Sequence, residues 1–577
     1  MFAYAPSVKD TLFTLYHTAG FQRVADIPSF AEAAPDLVEA MLVEGARLAS
    51  EMIAPLNAPG DREGAQWHPE GVKFPSGYRD AWRALGEGGW MSLPFDPEFG
   101  GQGMPMSLFN VLAEWVPAAS LGFAQTLTLT ASAIEALTEH ASPEIQARFI
   151  PKMTSGQWTG TMNLTEPQAG SDVGALTTSA VAMPDGTFRI KGQKIYITSG
   201  EHDMTENIVH LVLARLEGAP SGTAGISLFL VPKRRVLADG TLGPSNDVQC
   251  TSIEKKLGIH GSATCVMVYG DHDDCEGLLI GEPNRGMAAM FTMMNAARVH
   301  VGLQGLGCAE RAYQGALDWA TQRVQGVPVG SKDRTSRPII EHADVRRMLM
   351  DMRVKIEVAR AICYRASVAL DLARHHPDPN VRAEEKGVID LLTPMAKAYA
   401  TDIGCEVASE AVQIFGGMGF VEETGAAQIY RDVRITPIYE GTNGIQAWDL
   451  SHRKLKAAGG AHWRAMLAEI TYTTEQLRKH ALDPLAAPLE AAVEAVQTVA
   501  DWFVERHVTS PRDVAGGSVG FLRLFSETVG AHLLARGALV AHQQKASGSD
   551  PAFLESRIVF ARYFVQRHLP LSVSRAT

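Results

Sequence analysis

The chain has 577 residues, of which 46% are hydrophobic and 20% are charged, and its formal net charge is −12. This composition is that of a globular protein, so it excludes disordered and collagen-like chains. The negative charge argues against nucleic acid as the main partner, and the length suits three or four domain-sized units.

No run of 18 apolar residues occurs, so we expect no membrane span. The first residues lack the apolar stretch of a signal peptide. The six cysteines are scattered and include no Cys-x-x-Cys spacing. Such cysteines indicate a reduced, cytoplasmic protein with neither disulfides nor a metal site.

The residues from about Phe30 to Pro151 show the period of α-helices. One expected apolar helix face comprises Leu37, Met41, Ala46 and Leu48. A second comprises Tyr78, Trp82 and Leu85, in a helix that Gly86 and Gly88 end.

A β-rich part follows, from about Gly156 to Gly281. Thr187–Gly192 and Lys194–Thr198 alternate between apolar and polar residues, which predicts two paired strands. The remaining expected strands are Ile208–Leu213, Ile226–Val231 and Val266–Val268.

Helical periodicity returns after Gly286. It predicts long helices over Ala297–Gln325, His342–Arg374 and Arg382–Phe415. In the Ala-rich region after Leu455, the expected apolar face comprises Leu489, Val493, Val496, Ala500 and Phe503. The predicted domains are an N-terminal extension (1–35), an N-terminal helical domain (36–155), a middle β-domain (156–285), a C-terminal helical bundle (286–455) and an additional helical domain (456–577).

The segment Pro437–Asn443 contains the first candidate catalytic residue, Glu440. A carboxylate among apolar neighbours can lie in a dry pocket, where desolvation raises its pKa towards neutrality. Such a group suits a general base that removes a weakly acidic proton next to a carbonyl. The alternative is a glutamate that simply ends a helix or occupies a turn.

Two further segments are candidate ligand-binding loops. Met162–Asp172 offers the hydroxyls of Thr165 and Ser171, and Gly170 allows a ligand close to the backbone. Its alternative is a β-turn with side-chain capping. Gln413–Phe420 places three glycines after a long helix, either as a helix C-cap or as a surface for an extended cofactor. No Gly-x-Gly-x-x-Gly follows a predicted strand, so a Rossmann NAD site has no support.

Together these three segments resemble the acyl-CoA dehydrogenase family of flavoproteins. The resemblance implies a mainly α fold with an α-helical N-domain, a β-barrel-like middle domain and a C-terminal helical bundle, followed here by an extra helical domain. The segments depart from the family pattern at Asn163, where a smaller residue is usual, and at Gln428, where a basic residue is usual.

The resemblance also implies a reaction. Glu440 would remove the pro-R α-proton of an acyl-CoA thioester while the β-hydrogen leaves as hydride to N5 of FAD, and the product would be a trans-2-enoyl-CoA. The thioester oxygen would be polarised by a backbone N–H at the glutamate and by a ribityl hydroxyl of FAD. Some relatives have the base at the position that matches Ala297, beside Arg298. Alanine cannot act as a base, so the role stays with Glu440.

The resemblance assigns the remaining site residues one position at a time. The expected cofactor-binding residues are Met162, Leu164, Thr165, Gly170, Ser171, Tyr196, Thr198, Arg323, Gln413, Gly416, Gly417 and Thr442. The expected substrate-binding residues are Ser171, Arg298 and Gly441. Tyr196 stands where the family usually has Trp against the flavin. Arg323 could instead be a solvated charge, and Arg298 a buried ion-pair partner.

Both ends of the chain resemble a long subgroup that includes the 3-(methylthio)propionyl-CoA dehydrogenases. We therefore expect a short or medium acyl-CoA as substrate in β-oxidation, with 3-(methylthio)propionyl-CoA and butyryl-CoA as candidates. The Met-rich segment Met287–Met294 could line a sulfur-tolerant pocket or be core packing. Expected partners are electron-transfer flavoprotein, as electron acceptor, and a second copy of the chain in a dimer or dimer of dimers. The alternatives are an acyl-CoA oxidase, which passes electrons to O₂, and a non-redox CoA-binding helical protein.

Overall fold

The computed structural model describes residues 2–545 and 550–576, which fold into two compact units. The first unit comprises the residues up to Ser50, Pro105–Ala119, and the residues from Arg298 onward. The second unit comprises Glu51–Met104 and Ser120–Ala297.

Most of the described chain is helical. In chain order the α-helices are α1 (Val8–Phe13), α2 (Gln22–Ala25), α3 (Pro35–Arg47), α4 (Asn57–Glu63), α5 (Tyr78–Glu87), α6 (Met106–Ala119), α7 (Leu121–His140), α8 (Pro143–Thr154), α9 (Gly286–Gln322), α10 (Ala343–His375), α11 (Pro379–Phe415), α12 (Ala426–Val433), α13 (Asn443–His452), α14 (Ala461–Lys479), α15 (Asp483–Arg506), α16 (Pro511–Lys545), α17 (Pro551–Arg567) and α18 (Leu569–Val573). The strands are β1 (Gln66–His68), β2 (Gly71–Lys73), β3 (Trp158–Asn163), β4 (Ser179–Ala182), β5 (Phe188–Thr198), β6 (Asn207–Leu216), β7 (Ile226–Pro232), β8 (Arg234–Val236), β9 (Leu242–Ser245), β10 (Val248–Ile253), β11 (Thr264–Tyr269) and β12 (Glu276–Ile280).

The first unit is a helical bundle around α10 and α11, which pack along one another. Helix α16 packs against both and also against α13, α15 and α17. The sequence periodicity predicted α10 and α11 to within a few residues. Helix α9 begins earlier than its predicted start at Ala297, because the Met-rich segment is its first part.

The predicted apolar face of α3 is wrong by about one residue. The buried residues are Val38, Leu42 and Gly45, whereas Leu37 is 45% exposed. Apolar side chains occupy more than one face of α3, so periodicity alone cannot select the face that packs. Packing against α1 and α6 within the same unit makes that selection.

A buried ion network joins α1, α10 and α17 in the first unit. Arg353 Nη2 lies 2.8 Å from Asp10 Oδ2 and 2.6 Å from Glu357 Oε1. Arg557 lies 3.0 Å from Asp10 and 3.2 Å from Glu357, through its Nη2 and Nη1 atoms. Burial raises the pKa of Asp10, but Arg353 and Arg557 outweigh it and lower that pKa to about 2. The network therefore holds the N-terminal segment and the last long helix to the same part of the bundle.

The second unit contains a sheet with the strand order β10-β11-β5-β12-β7-β6-β3, in which β4 pairs with both β5 and β6. The expected strands at Ile208 and Ile226 are the antiparallel neighbours β6 and β7. The prediction of two paired strands over residues 187–198 is wrong, because this stretch is the single strand β5. The strand continues through Gly192, because β11 pairs with β5 from Gly192 to Thr198, while β4 and β12 pair with the residues of β5 that precede Gly192.

The residues that the structure describes include neither a membrane-spanning helix nor a cluster of metal ligands. None of the helices there combines the length and apolarity that a membrane crossing requires. Within the same residues, no three His, Cys, Asp or Glu side chains gather as metal ligands would.

Candidate active site

Glu440 lies in the turn that connects α12 to α13 in the first unit. Its φ is +56° and that of Gly441 is +85°, so two consecutive residues are left-handed. Thr442 then caps α13, and its Oγ1 accepts a hydrogen bond of 3.4 Å from Ile445 N. A left-handed non-glycine residue costs about 1–3 kcal/mol and persists only where the surroundings hold it. The backbone at Glu440 therefore indicates a functional site.

Several hydrogen bonds hold this turn. Gln446 Nε2 donates to the carbonyl oxygens of Glu440 and Gly441, at 3.4 and 3.3 Å. The hydroxyl of Tyr439 donates to Gln304 Oε1 of α9. The φ of +85° favours glycine at position 441, and a Cβ there would lie 2.8 Å from Gln446 Nε2, so a larger residue would also displace the side chain that holds the turn.

The Glu440 side chain is half-buried and lies in the field of two cations. Burial raises its pKa, and Arg298 and Lys397 oppose the rise, with a result of about 7. A carboxyl group with this pKa is part ionised at neutral pH and accepts a proton more strongly than an ordinary glutamate. The sequence prediction of a desolvated base at this position thus agrees with the electrostatics of the turn, and the role itself stays a prediction.

Arg298 lies on α9 and is 5% exposed. Its Nη2 is 3.8 Å from the point that a Cβ at Gly441 would occupy, so the guanidinium borders the turn. Burial lowers the pKa of Arg298, whereas Asp449 and Glu440 raise it. The structure therefore brings Arg298, Glu440 and Gly441 together, as their expected roles require.

The other expected residues of the first unit lie at the ends of α9 and α11. Trp319 stacks on Phe415 with ring centroids 5.1 Å apart, so these two C-terminal ends are side by side. Arg323 follows α9 and is exposed, which leaves its interpretation as a solvated charge open. Gly416 has φ +64° and ψ −143°, a conformation that only glycine adopts readily.

Gln413 lies in the last turn of α11 and Gly417 follows Gly416, and both are exposed. A Cβ at either Gly416 or Gly417 would meet no atom within 4 Å. The backbone here is thus open to an extended ligand, as the sequence interpretation requires.

In the second unit, the loop after β3 is fixed by a buried glutamate. Glu166 accepts hydrogen bonds from the backbone N–H groups of Thr177 and Thr178, at 2.7 and 3.0 Å. Lys194 Nζ of β5 donates to Glu166 at 2.8 Å and to the carbonyl of Leu164 at 3.1 Å. The carbonyl of Thr165 accepts from Ile195 N at 2.9 Å. The two predicted cofactor segments of this unit are therefore neighbours.

Tyr196 occupies a β-bulge in β5, where this strand pairs with β11. The pairing of β5 with β11 moves from Ile197 opposite Cys265 to Lys194 opposite Met267, so two residues of β5 face one of β11. Tyr196 has φ +59° and is 60% exposed. Bulges redirect side chains and are common at functional sites. An aromatic ring that is held outward on a strained backbone fits a planar ligand.

The other expected residues of this unit lie on the loop that follows β3 or close to it, and on β5, and they differ in exposure. Met162, Leu164, Thr165 and Thr198 are half-buried, and Gly170 and Ser171 are exposed. A Cβ at Gly170 would meet no atom within 4 Å. These segments therefore present half-buried hydroxyl groups and, at Gly170, open backbone.

The two departures from the family signatures are both buried. Asn163 donates to Thr161 Oγ1 at 2.9 Å and accepts from the hydroxyl of Tyr269 at 2.8 Å, so its amide is satisfied inside the unit. Gln428 is 4% exposed and donates to Asp432 at 3.2 Å. Both residues are thus part of the packing, which explains how the fold tolerates the larger or uncharged side chain.

Sequence reasoning missed Lys397 and Asn443. Lys397 is fully buried on α11, and its Nζ donates to Asn443 Oδ1 at 2.8 Å. The position of Asn443, three residues after Glu440, was a signal that could have drawn attention to it. A lysine inside a long amphipathic helix, in contrast, resembles a solvated charge.

Comparison with known proteins identifies the family. Three consecutive parts of the chain match domains of the acyl-CoA dehydrogenase family. Residues 40–157 match the N-terminal domain, residues 161–272 the middle domain and residues 284–455 the C-terminal domain. Residues 466–577 match "Acetyl-CoA dehydrogenase C-terminal like". A 3-methylmercaptopropionyl-CoA dehydrogenase of Ruegeria pomeroyi is 42% identical over 98% of this chain and 96% of that protein. The chain belongs to the acyl-CoA dehydrogenase family.

Two further proteins extend this comparison. A butyryl-CoA dehydrogenase of Syntrophomonas wolfei is 34% identical over 93% of this chain and 90% of that protein. The crystal structure of an acyl-CoA dehydrogenase from Bacillus anthracis, complexed with FAD, covers 96% of this chain and 89% of its own with a TM-score of 0.76 at 20% identity. The family and the fold class predicted from the sequence are confirmed.

FAD is the cofactor of this family. The residues present fit that group. The exposed ring of Tyr196 is suited to stack on an isoalloxazine. The half-buried hydroxyls of Thr165, in the loop after β3, and of Thr198, on β5, are suited to hydrogen-bond such a ring. The open backbone at Gly416 and Gly417 suits the extended part of a dinucleotide.

Proposed function

We propose that this acyl-CoA dehydrogenase oxidises the Cα–Cβ bond of an acyl-CoA thioester with Glu440 as the base. The observation that supports this most directly is the Glu440 turn, in which a half-buried carboxylate on a left-handed backbone has a pKa of about 7. Above this pH the carboxylate is free to accept the α-proton, and its desolvation strengthens it as a base.

The surrounding residues would each have a separate task. Arg298 and Lys397 stabilise the ionised form of Glu440, since both lower its pKa. A backbone N–H at the turn would donate to the thioester oxygen and so favour loss of the α-proton. Bound FAD supplies the acceptor for the β-hydrogen, held by Tyr196 and Thr198 in this proposal.

Replacement of Glu440 by Gln tests the role of the base. The amide keeps the size of the side chain but cannot accept the proton, so Glu440→Gln should retain FAD and lose about 10²–10⁴-fold or more in the rate of flavin reduction. The measurement is anaerobic stopped-flow bleaching of the flavin by butyryl-CoA. Glu475→Gln, an exposed glutamate of α14, is the matched control and should react like the wild type. A near wild-type rate in Glu440→Gln would refute the assignment.

For the substrate, we propose a short or medium acyl-CoA, with 3-(methylthio)propionyl-CoA as the first candidate. The relative from Ruegeria pomeroyi is named for that substrate. In the Met-rich part of α9, Met290 and Met293 are fully buried, so the core-packing alternative describes these two. Met287 and Met294 are half-buried instead, which leaves their polarisable side chains available to an acyl group.

The proposed electron acceptor is electron-transfer flavoprotein, and the proposed assembly is a homo-oligomer in the cytoplasm. Six free cysteines support a reducing compartment. Stopped-flow oxidation of the reduced enzyme separates the proposed acceptor from O₂. Rapid peroxide formation would instead favour the acyl-CoA oxidase alternative.

A further inference from the structure

Lys397 is a buried cation next to the proposed base. It is 0% exposed, in the middle of α11. A buried ammonium group is costly unless polar partners and opposite charges compensate it. Its one short hydrogen bond within the described chain runs to Asn443 Oδ1, at 2.8 Å. This contact connects α11 to the turn that contains Glu440.

Asn443 is fixed at both ends of its amide. Its Nδ2 donates to Asp402 Oδ1 at 2.7 Å and to Thr401 Oγ1 at 3.0 Å, while its Oδ1 accepts from Lys397. A carboxylate accepts only and an ammonium donates only, so these partners allow one orientation of the amide. The backbone N–H of Asn443 donates to the carbonyl of Pro437 at 3.0 Å, which closes the turn. Lys397 and Asp402 thus clamp the Glu440 turn onto α11.

The charges around Lys397 explain why it can respond to Glu440. Burial lowers the pKa of Lys397 to about 7. The positive charge of Arg298 acts in the same direction, whereas Glu440, Asp402 and Cys405 raise this pKa. Lys397 in turn lowers the pKa of Glu440. The two groups change protonation over the same pH range, so they titrate as a coupled pair.

We propose that Lys397 is a positioning residue for the dehydrogenation reaction, which holds the Glu440 turn through Asn443 and places a positive charge beside the Glu440 carboxylate. This inference rests on the proposed function of Glu440. Lys397 acts through Glu440 and Asn443, so removal of its charge should change when the base is ionised as well as how well it is placed.

The test compares Lys397→Met with Lys397→Arg in FAD-loaded enzyme, by the pH profile of anaerobic flavin reduction with butyryl-CoA. Loss of a neighbouring opposite charge raises the pKa of a carboxyl group by about one unit or more. The midpoint of the profile should therefore move up by at least about one pH unit in Lys397→Met, with a rate about five-fold lower at pH 7 that recovers towards the wild-type value above pH 9. Lys397→Arg keeps the charge and should keep the wild-type midpoint. The exposed Lys386 of the same helix supplies the control variant Lys386→Met.

Each other outcome would overturn the inference. A rate reduced by one factor at every pH would show a structural role only, and an unchanged profile would show no role. Lys397→Gln is measured alongside, because its amide can still donate a hydrogen bond in the buried site. If both neutral variants fail to fold while Lys397→Arg folds, Lys397 belongs to the stability of the bundle and the inference fails. Glu440→Gln, measured in parallel, separates these failures from failure of the proposed function, since only an active Glu440→Gln would refute the base.

Discussion

The raised pKa of Glu440 has a consequence for stability that is independent of catalysis. Burial holds this pKa at about 7 in the folded protein, against an ordinary value of 4.5. A raised carboxyl pKa means that the folded state binds the proton more tightly than the unfolded state does. The corresponding stability is complete below pH 4.5, declines as the pH rises to about 7, and is absent above that. One pKa unit corresponds to about 1.4 kcal/mol, so the ionised carboxylate costs about 3 kcal/mol at alkaline pH.

Glu440→Gln removes this cost, because the amide carries no charge at any pH. Relative to the wild type, the variant should gain about 1 kcal/mol in the free energy of unfolding at pH 5.5 and about 3 kcal/mol at pH 8.5. Urea unfolding at both pH values, with the same excess of FAD, measures the difference. Glu475→Gln serves again as the control and should show no pH-dependent gain. A Glu440→Gln variant with equal gains at the two pH values would refute the idea that the carboxylate is desolvated.

Two further predictions concern the oligomer and the substrate. Arg323→Ala should lower FAD retention and oligomer stability together, because a ligand bound across an interface stabilises that interface. Size-exclusion chromatography with absorbance at flavin wavelengths measures both, with Arg512→Ala as the control. A stable monomer with stoichiometric FAD would contradict the expectation. The values of kcat/KM should be higher for 3-(methylthio)propionyl-CoA and butyryl-CoA than for palmitoyl-CoA in a steady-state assay with an artificial electron acceptor. A clear preference for the C16 thioester would contradict the substrate proposal.

The sequence predicted the long helices well and the β part less well. Helices α10 and α11 have sustained helical periodicity with prolines and glycines near their ends, and this local pattern was enough. Strand β5 was divided in two because its alternating pattern falls into two short segments, whereas its continuity depends on pairing with other strands. The buried face of α3 likewise depends on what packs against it. Local sequence patterns therefore fail for strand continuity and for the buried face of a helix, because residues distant in the sequence determine both.

The same distinction applies to the site. Glu440, Gly441 and Arg298 were predicted because motifs and a resemblance mark them. Lys397 was missed, because its burial and its contact with Asn443 arise from tertiary packing 46 residues apart in the chain. The left-handed backbone at Tyr196 was equally hidden, since an ordinary strand pattern surrounds it.

The ion network of α1, α10 and α17 bears on how the chain is made on the ribosome. Asp10 and Arg353 are 343 residues apart, and Arg557 emerges 200 residues after Glu357. At about 5–20 residues per second, the last 200 of these residues take roughly 10–40 s to synthesise. During that interval Arg557 is not available to Asp10 and Glu357, although Arg353 already is. The contacts with Arg557 are therefore among the last to form, and a chain that stalls before α17 lacks them.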